Sequence, residues 1–96
     1  ISSYMGSQQH TGSGAYFYRA SKAGANNLMV TLANELQPRG VAVAAYHPGW
    51  VQTDMGGSAA EITATDSATG LAKRFAALSL AATGCFETWD GRNHPM

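Results

Sequence analysis

The order of apolar and polar positions along the chain predicts alternating helices and strands after a polar opening. Residues 2–14 are mostly Ser, Gly, Gln, His and Thr, which is the chemistry of a long loop. From about Ala15 to Leu36 there is no proline and a single glycine, and helix formers alternate with apolar residues until Gln37-Pro38-Arg39-Gly40 supplies a stop. The spacing therefore predicts a helix over 15–36. Its apolar positions, Ala20, Ala23, Leu28, Met29, Val30, Leu32, Ala33 and Leu36, exceed the one stripe of a surface helix, so it is expected to be covered on two sides. Val41 to Tyr46 is short, apolar and bounded by Gly40 and Pro48, which fits a strand buried on both faces, as in a parallel sheet. Pro48-Gly49 ends that strand and opens a small, polar stretch to Thr65, long enough for a functional loop or lid. A second helix is predicted from Asp66, as N-cap, to Ala81, with Leu71, Phe75, Leu78 and Leu80 apolar and Thr83-Gly84 beyond its end. Cys85 to Trp89 alternates as a last strand before the turn at Asp90-Gly91. Helix and strand in this order imply an α/β class. Ile1, followed at once by Ser2 and Ser3, reads as the end of a strand whose earlier residues are absent, so the chain is expected to be a fragment.

Composition narrows the partners. The chain has 96 residues, enough for one small domain, and 12% of them are charged against a usual ~25%. Six basic and six acidic residues cancel, so nothing in the charge points to nucleic acid, an anionic membrane or an acidic substrate. No apolar run approaches the ~20 residues of a membrane-spanning helix, and the start lacks a basic-then-apolar leader, so a cytoplasmic location is expected. Cys85 is the single cysteine, which excludes an internal disulfide framework. It lies far from His10, His47 and His94, themselves at no ligand spacing, so no metal is expected. A domain of this size is marginal alone, which makes a missing half or an oligomer partner plausible.

Tyr18 and Lys22 are four apart near the start of the long helix, which stacks them on one face. A phenol titrates near pH 10 and is a poor acid or base at neutral pH, but a neighbouring cation favours its ionised form. The pair alone is weak, since a solvated lysine beside a packed tyrosine is commoner. Its context is Ile1-Ser2-Ser3 before it and His47-Pro48-Gly49-Trp50-Val51-Gln52-Thr53-Asp54-Met55 after the next strand, with Tyr18-Arg19-Ala20-Ser21-Lys22-Ala23 between. In that combination the chain resembles the C-terminal half of a short-chain dehydrogenase/reductase, closest to the carbonyl-reductase members, over essentially all of residues 1–96. The resemblance implies the C-terminal part of a Rossmann-type, doubly wound parallel sheet. It implies an oxidoreductase using NADP or NAD on a small-molecule carbonyl or alcohol. Tyr18 would be the general acid in reduction and the base in oxidation, Lys22 would assist Tyr18 and bind the nicotinamide ribose, and Ser3 would hold the substrate carbonyl. Pro48, Gly49, Val51 and Thr53 match the stretch that lies along the nicotinamide.

Departures from the pattern accompany it. The family's serine stands thirteen positions before its tyrosine, where this chain has Met5; Ser3 stands fifteen before, and Ser2 and Ser7 remain alternatives. The Gly-rich dinucleotide loop and the family's catalytic asparagine have no counterpart, so the chain alone is expected to be inactive. Tyr16 has Ala20 at its fourth following position and reads as a packing or pocket residue rather than the acid. His47 reads as a structural histidine, and no Gly-x-Ser-x-Gly is present to support hydrolysis through His47 and Asp54. Trp50 and Met55 could line a pocket or cover the core. Ala23, Gly24 and Ala25 would permit close approach of a second subunit, so a homo-oligomer is expected. A noncatalytic interaction module that kept the fold, and an unrelated α/β binding domain, remain as alternatives to an enzyme.

Overall fold

The computed structural model describes residues 1–52, 55, 57 and 59–96. Helix α1 spans Tyr16–Leu36, strand β1 Ala45–His47, β2 Val51–Gln52, β3 Ile62–Thr63, helix α2 Ala64–Ala77 and strand β4 Phe86–Thr88. Short 3-10 turns lie at Tyr4–Gly6, Gln37–Arg39 and Leu80–Ala82. Strands β1 and β4 pair in parallel, Ala45 opposite Phe86, Tyr46 opposite Glu87 and His47 opposite Thr88. Residues 1–3 run along the other edge of β1, where the Ser2 amide donates to the Tyr46 carbonyl at 2.7 Å.

Alternation along these strands decides which helix covers which face. Ala45 and Phe86 pack with Met29 of α1, and Val43 closes the edge of that cluster. Tyr46 and Glu87, one position on, face α2: Phe75 sets its ring edge-on against Tyr46 with centroids 5.0 Å apart, and Arg74 grips Glu87 at 2.8 and 3.3 Å. Gly70 lies directly on the Trp89 carbonyl, where a Cβ would stand 2.5 Å from the oxygen, so α2 approaches β4 as closely as backbone permits. The result is a parallel sheet with a helix on each face, the α/β layering expected of a doubly wound fold.

Several boundaries differ from the sequence pattern, each for a local reason. The strand expected over 41–46 begins only at Ala45, because Val43 bonds instead to the Thr83 hydroxyl and the Gly84 amide, at 2.9 and 2.7 Å. Helix α2 starts at Ala64, with Thr63 rather than Asp66 as its cap: the Thr63 hydroxyl accepts from the Asp66 amide at 3.1 Å, and Asp66 sits in the first turn, where the helix dipole favours an anion. It ends at Ala77 because Leu78 and Ser79 are extended, leaving Leu80–Ala82 as a separate turn. The last strand is trimmed from 85–89 to Phe86–Thr88. The stretch after Pro48-Gly49 folds on itself through a small parallel pair, Val51 opposite Ile62 and Gln52 opposite Thr63. Helix α1 is covered on one side only by the described residues: Asn26, Met29 and Ala33 are buried, whereas Leu28 is 65% and Leu32 43% exposed. Tyr16, expected as a packing or pocket residue, is 78% exposed.

Candidate active site

The polar opening, read from sequence as a plain loop, is partly buried and does structural work. Ser2, Ser3, Gly6 and Ser7 are all buried. Ser3 caps the first turn, its hydroxyl accepting from the Met5 amide at 3.2 Å. Gly6 seats that turn on α1: a Cβ there would lie 2.7 Å from the Lys22 carbonyl carbon and 2.9 Å from the Ala23 nitrogen. Only a residue without a side chain permits this approach. The turn after Ser3 and the helix turn carrying Tyr18 and Lys22 are thus fixed against each other backbone to backbone.

Lys22 completes the connection. Its ammonium donates to the Ile1 carbonyl at 3.4 Å, two residues before Ser3, and stands 5.6 Å from the centre of the Tyr18 ring, within cation–π range. Tyr18 and Lys22 are both half-buried, and the Tyr18 carbonyl takes the Ser21 hydroxyl at 2.8 Å. Residues 1–6 thus meet the turn of α1 that carries Tyr18 and Lys22, through the Gly6 approach and the Lys22 bond to Ile1. Ser7 faces elsewhere, accepting from the Gln9 amide at 3.2 Å and lining a cleft of about 280 Å³ with Met5, His10 and Arg19. The Ser2 hydroxyl is buried with no partner among the described residues.

The second limb of the site leaves the carboxyl end of β1, where ligands bind in open parallel sheets. The Pro48 carbonyl accepts from Ser67 of α2 at 2.6 Å. Gly49 adopts φ +85°, and a Cβ on it would meet Ile62 at 2.6 Å and the Trp89 indole at 3.0 Å. Val51 is held by its pairing with Ile62, and the Ile62 amide donates to the Trp50 carbonyl at 3.1 Å. Thr53, and with it Asp54, lies outside the described residues.

Sequence reasoning missed how the two limbs are joined. The Tyr4 amide, next to Ser3, donates to Nδ1 of His47, next to Pro48, at 3.2 Å. Tyr4 stands edge-on between the rings of His10 and His47, at 4.8 and 5.0 Å, and His10 Nε2 meets His94 Nε2 at 2.9 Å. Residues 10, 47 and 94 carry no spacing signal, because the chain closes the cluster through three separate elements. Burial first, then the neighbouring His94, His10 and Arg92, push the His47 pKa down to about 4 against the opposing pull of Asp90. Among the described residues, no group of three His, Cys, Asp or Glu side chains could hold a metal ion. Burial raises the Cys85 thiol, as fits an inert cysteine.

These residues fit the nicotinamide end of a dinucleotide: an ammonium with one long hydrogen bond, a phenol beside it, and a glycine-kinked limb leaving a strand end. Gly12-Ser13-Gly14 precedes α1 with no strand before it among the described residues, so it is not a phosphate-binding loop between a strand and a helix.

The family model described as short chain dehydrogenase matches residues 1–64. The C-signal protein of Myxococcus xanthus is 40% identical over 96 residues, covering 99% of this chain and 58% of that protein. The carbonyl reductase Sniffer of D. melanogaster superposes with a TM-score of 0.96 at 35% identity, over 100% of this chain and 39% of its own. The NADPH-bound carbonyl reductase from chicken fatty liver gives 0.91 at 35% identity, over 100% and 41%. The chain spans a little over half of the first relative and about two fifths of these structures.

Proposed function

Because the chain belongs to the short-chain dehydrogenase family, we propose that it is the C-terminal catalytic half of an NAD(P)-dependent oxidoreductase that reduces a small-molecule carbonyl or oxidises the alcohol. A dinucleotide-binding half, carrying the Gly-rich loop, completes the enzyme. The observation that carries this reading is the junction at which the Ile1 carbonyl takes the Lys22 ammonium while Gly6 seats the turn after Ser3 on the same helix turn.

The roles follow from the donors in place. A bound reduced nicotinamide supplies the hydride. The Ser3 hydroxyl donates to the substrate oxygen and orients the carbonyl, and the Tyr18 hydroxyl gives that oxygen its proton as negative charge develops. Lys22 stabilises the charge left on the Tyr18 oxygen and has ammonium protons remaining for the ribose. Pro48, Gly49, Val51 and Thr53 form the limb along the nicotinamide, with NADP or NAD as cofactor. In oxidation Tyr18 accepts the proton back.

Two further expectations belong to this reading. The exposed apolar face of α1, with Leu28 and Leu32, would meet a second copy, giving a homo-oligomer; no helix among the described residues is long and apolar enough to cross a membrane, and a cytoplasmic location fits. A noncatalytic interaction module is the second reading, favoured by one observation: a relative 40% identical is named for a signal and not for a reaction.

Lys22→Ala in the complete enzyme tests the proposal. A charge-assisted hydrogen bond is worth ~1.5–3 kcal/mol, so the Kd for NADPH should rise about tenfold or more while kcat also falls. An unchanged Kd removes the ribose contact, and absence of NADPH- or NADH-dependent turnover of any carbonyl favours the interaction module.

A further inference from the structure

The geometry points to His47 as a positioning residue: its Nδ1, by accepting the Tyr4 amide, clamps the turn that begins at Ser3 to the limb that begins at Pro48. This rests on the proposed oxidoreductase reading and deepens it.

Three observations support the clamp. The bond spans 43 positions of sequence and joins the residue after the candidate substrate serine to the residue before the candidate nicotinamide limb, so it is placed where the two limbs could drift apart. The Tyr4 ring is held edge-on by His47 at 5.0 Å and by His10 at 4.8 Å, so the residue that donates is also braced through its side chain. On the far side, the Trp89 amide donates to the His47 carbonyl at 2.9 Å, so the histidine backbone is anchored to the strand end of β4 and cannot follow the turn if it moves.

Acceptance at Nδ1 requires a neutral ring with its proton on Nε2. The groups facing His47 favour that state. His10, on the turn's own segment, and His94 and Arg92, in the tail, all oppose a positive charge there, and Asp90 alone favours it. His94 in turn is occupied, with Nε2 on His10 at 2.9 Å and Nδ1 on the Pro95 carbonyl at 3.0 Å, and the Arg19 guanidinium holds the His10 carbonyl at 3.0 Å. Protonation of His47 would turn Nδ1 into a donor facing a donor and open the clamp.

The alternative role, a histidine that merely fills space, makes different predictions for two substitutions. Asparagine presents its side-chain oxygen about where Nδ1 stands and can accept the same amide; leucine fills the volume and accepts nothing. In the complete enzyme, His47→Asn should keep kcat within about threefold. His47→Leu should lower kcat about 10- to 100-fold, the scale of a misplacement near 1 Å, with the Kd for NADPH changed less than threefold. Hydrogen exchange at the Tyr4 amide should speed up at least tenfold in His47→Leu and return to the wild-type rate in His47→Asn. If both variants lose kcat equally while the Tyr4 amide stays protected, or if leucine keeps full kcat, the clamp is wrong. Should the leucine variant fail to fold, the nitrogen resonances of the wild-type imidazoles decide. At pH 7 Nδ1 of His47 should be unprotonated and Nε2 protonated; the opposite tautomer overturns the proposal. The exchange and tautomer readouts do not depend on turnover, so they separate failure of the clamp from failure of the oxidoreductase reading.

Discussion

Gly6→Ala is the sharpest perturbation available, because it adds one methyl group where two backbones already touch. The new Cβ would lie 2.7 Å from the Lys22 carbonyl carbon and 2.9 Å from both the Lys22 oxygen and the Ala23 nitrogen, against an ordinary contact of 3.4 Å or more. All three atoms belong to the interior of a 21-residue helix and cannot yield. The turn carrying Ser3 must therefore back away by at least 0.7 Å, the difference between 3.4 and 2.7 Å. Overpacking of this kind costs about 1–3 kcal/mol, less the ~0.4–1 kcal/mol gained by stiffening the unfolded chain, so a net loss of ~1–2 kcal/mol is expected. The larger effect is on chemistry, since a displacement near 1 Å of a positioning group costs about a hundredfold in rate. The assay is kcat/KM for carbonyl reduction by the complete enzyme together with its Tm. If Gly6→Ala matches the wild type in both rate and Tm, the junction does not position the site.

Gly49→Ala should destabilise by ~1–3 kcal/mol, chiefly through left-handed backbone strain at φ +85°, with the Ile62 side-chain tip and the Trp89 indole having to shift, and chemical denaturation would read it; a loss below 0.5 kcal/mol would refute the backbone account. Thr63→Ala removes the cap of α2 and should cost ~1 kcal/mol, with Thr63→Ser close to wild type in the same experiment. His47, neutral in the fold with its pKa near 4, binds fewer protons than in the unfolded chain between pH 4 and 6.5. Its contribution to stability is therefore complete above pH 6.5 and lost as pH falls toward 4, by ~1–2 kcal/mol after allowing for partial exposure. The slope should disappear in His47→Asn.

Much of the architecture was legible because it is local. The long helix needs only its residue composition and the Pro38 stop, and its observed span, Tyr16–Leu36, departs from expectation by one residue. The parallel pair followed from apolar strands separated by a helix. What escaped was non-local. Nothing near Val43 announces that Thr83, 40 positions away, takes its amide and so delays the strand. Capping by Thr63 rather than Asp66 turns on which of two good cap residues has extended backbone, a choice made by the β2–β3 pairing. At the site, Tyr18 and Lys22 were visible through their helical spacing. The partners that hold Ser3 in place, Gly6 on Lys22 and His47 on Tyr4, depend on chain crossings that no single segment encodes.

The claim at the centre of this account is that Tyr18 moves the proton. Tyr18→Phe removes one hydroxyl oxygen and keeps the ring over which Lys22 sits, at 5.6 Å, so the fold and the NADPH affinity should persist. Single-turnover carbonyl reduction by the complete enzyme, at saturating NADPH, should fall ~10²–10⁴-fold, the usual contribution of a positioned general acid. A rate within a few-fold of wild type, with NADPH still bound, would contradict the assignment.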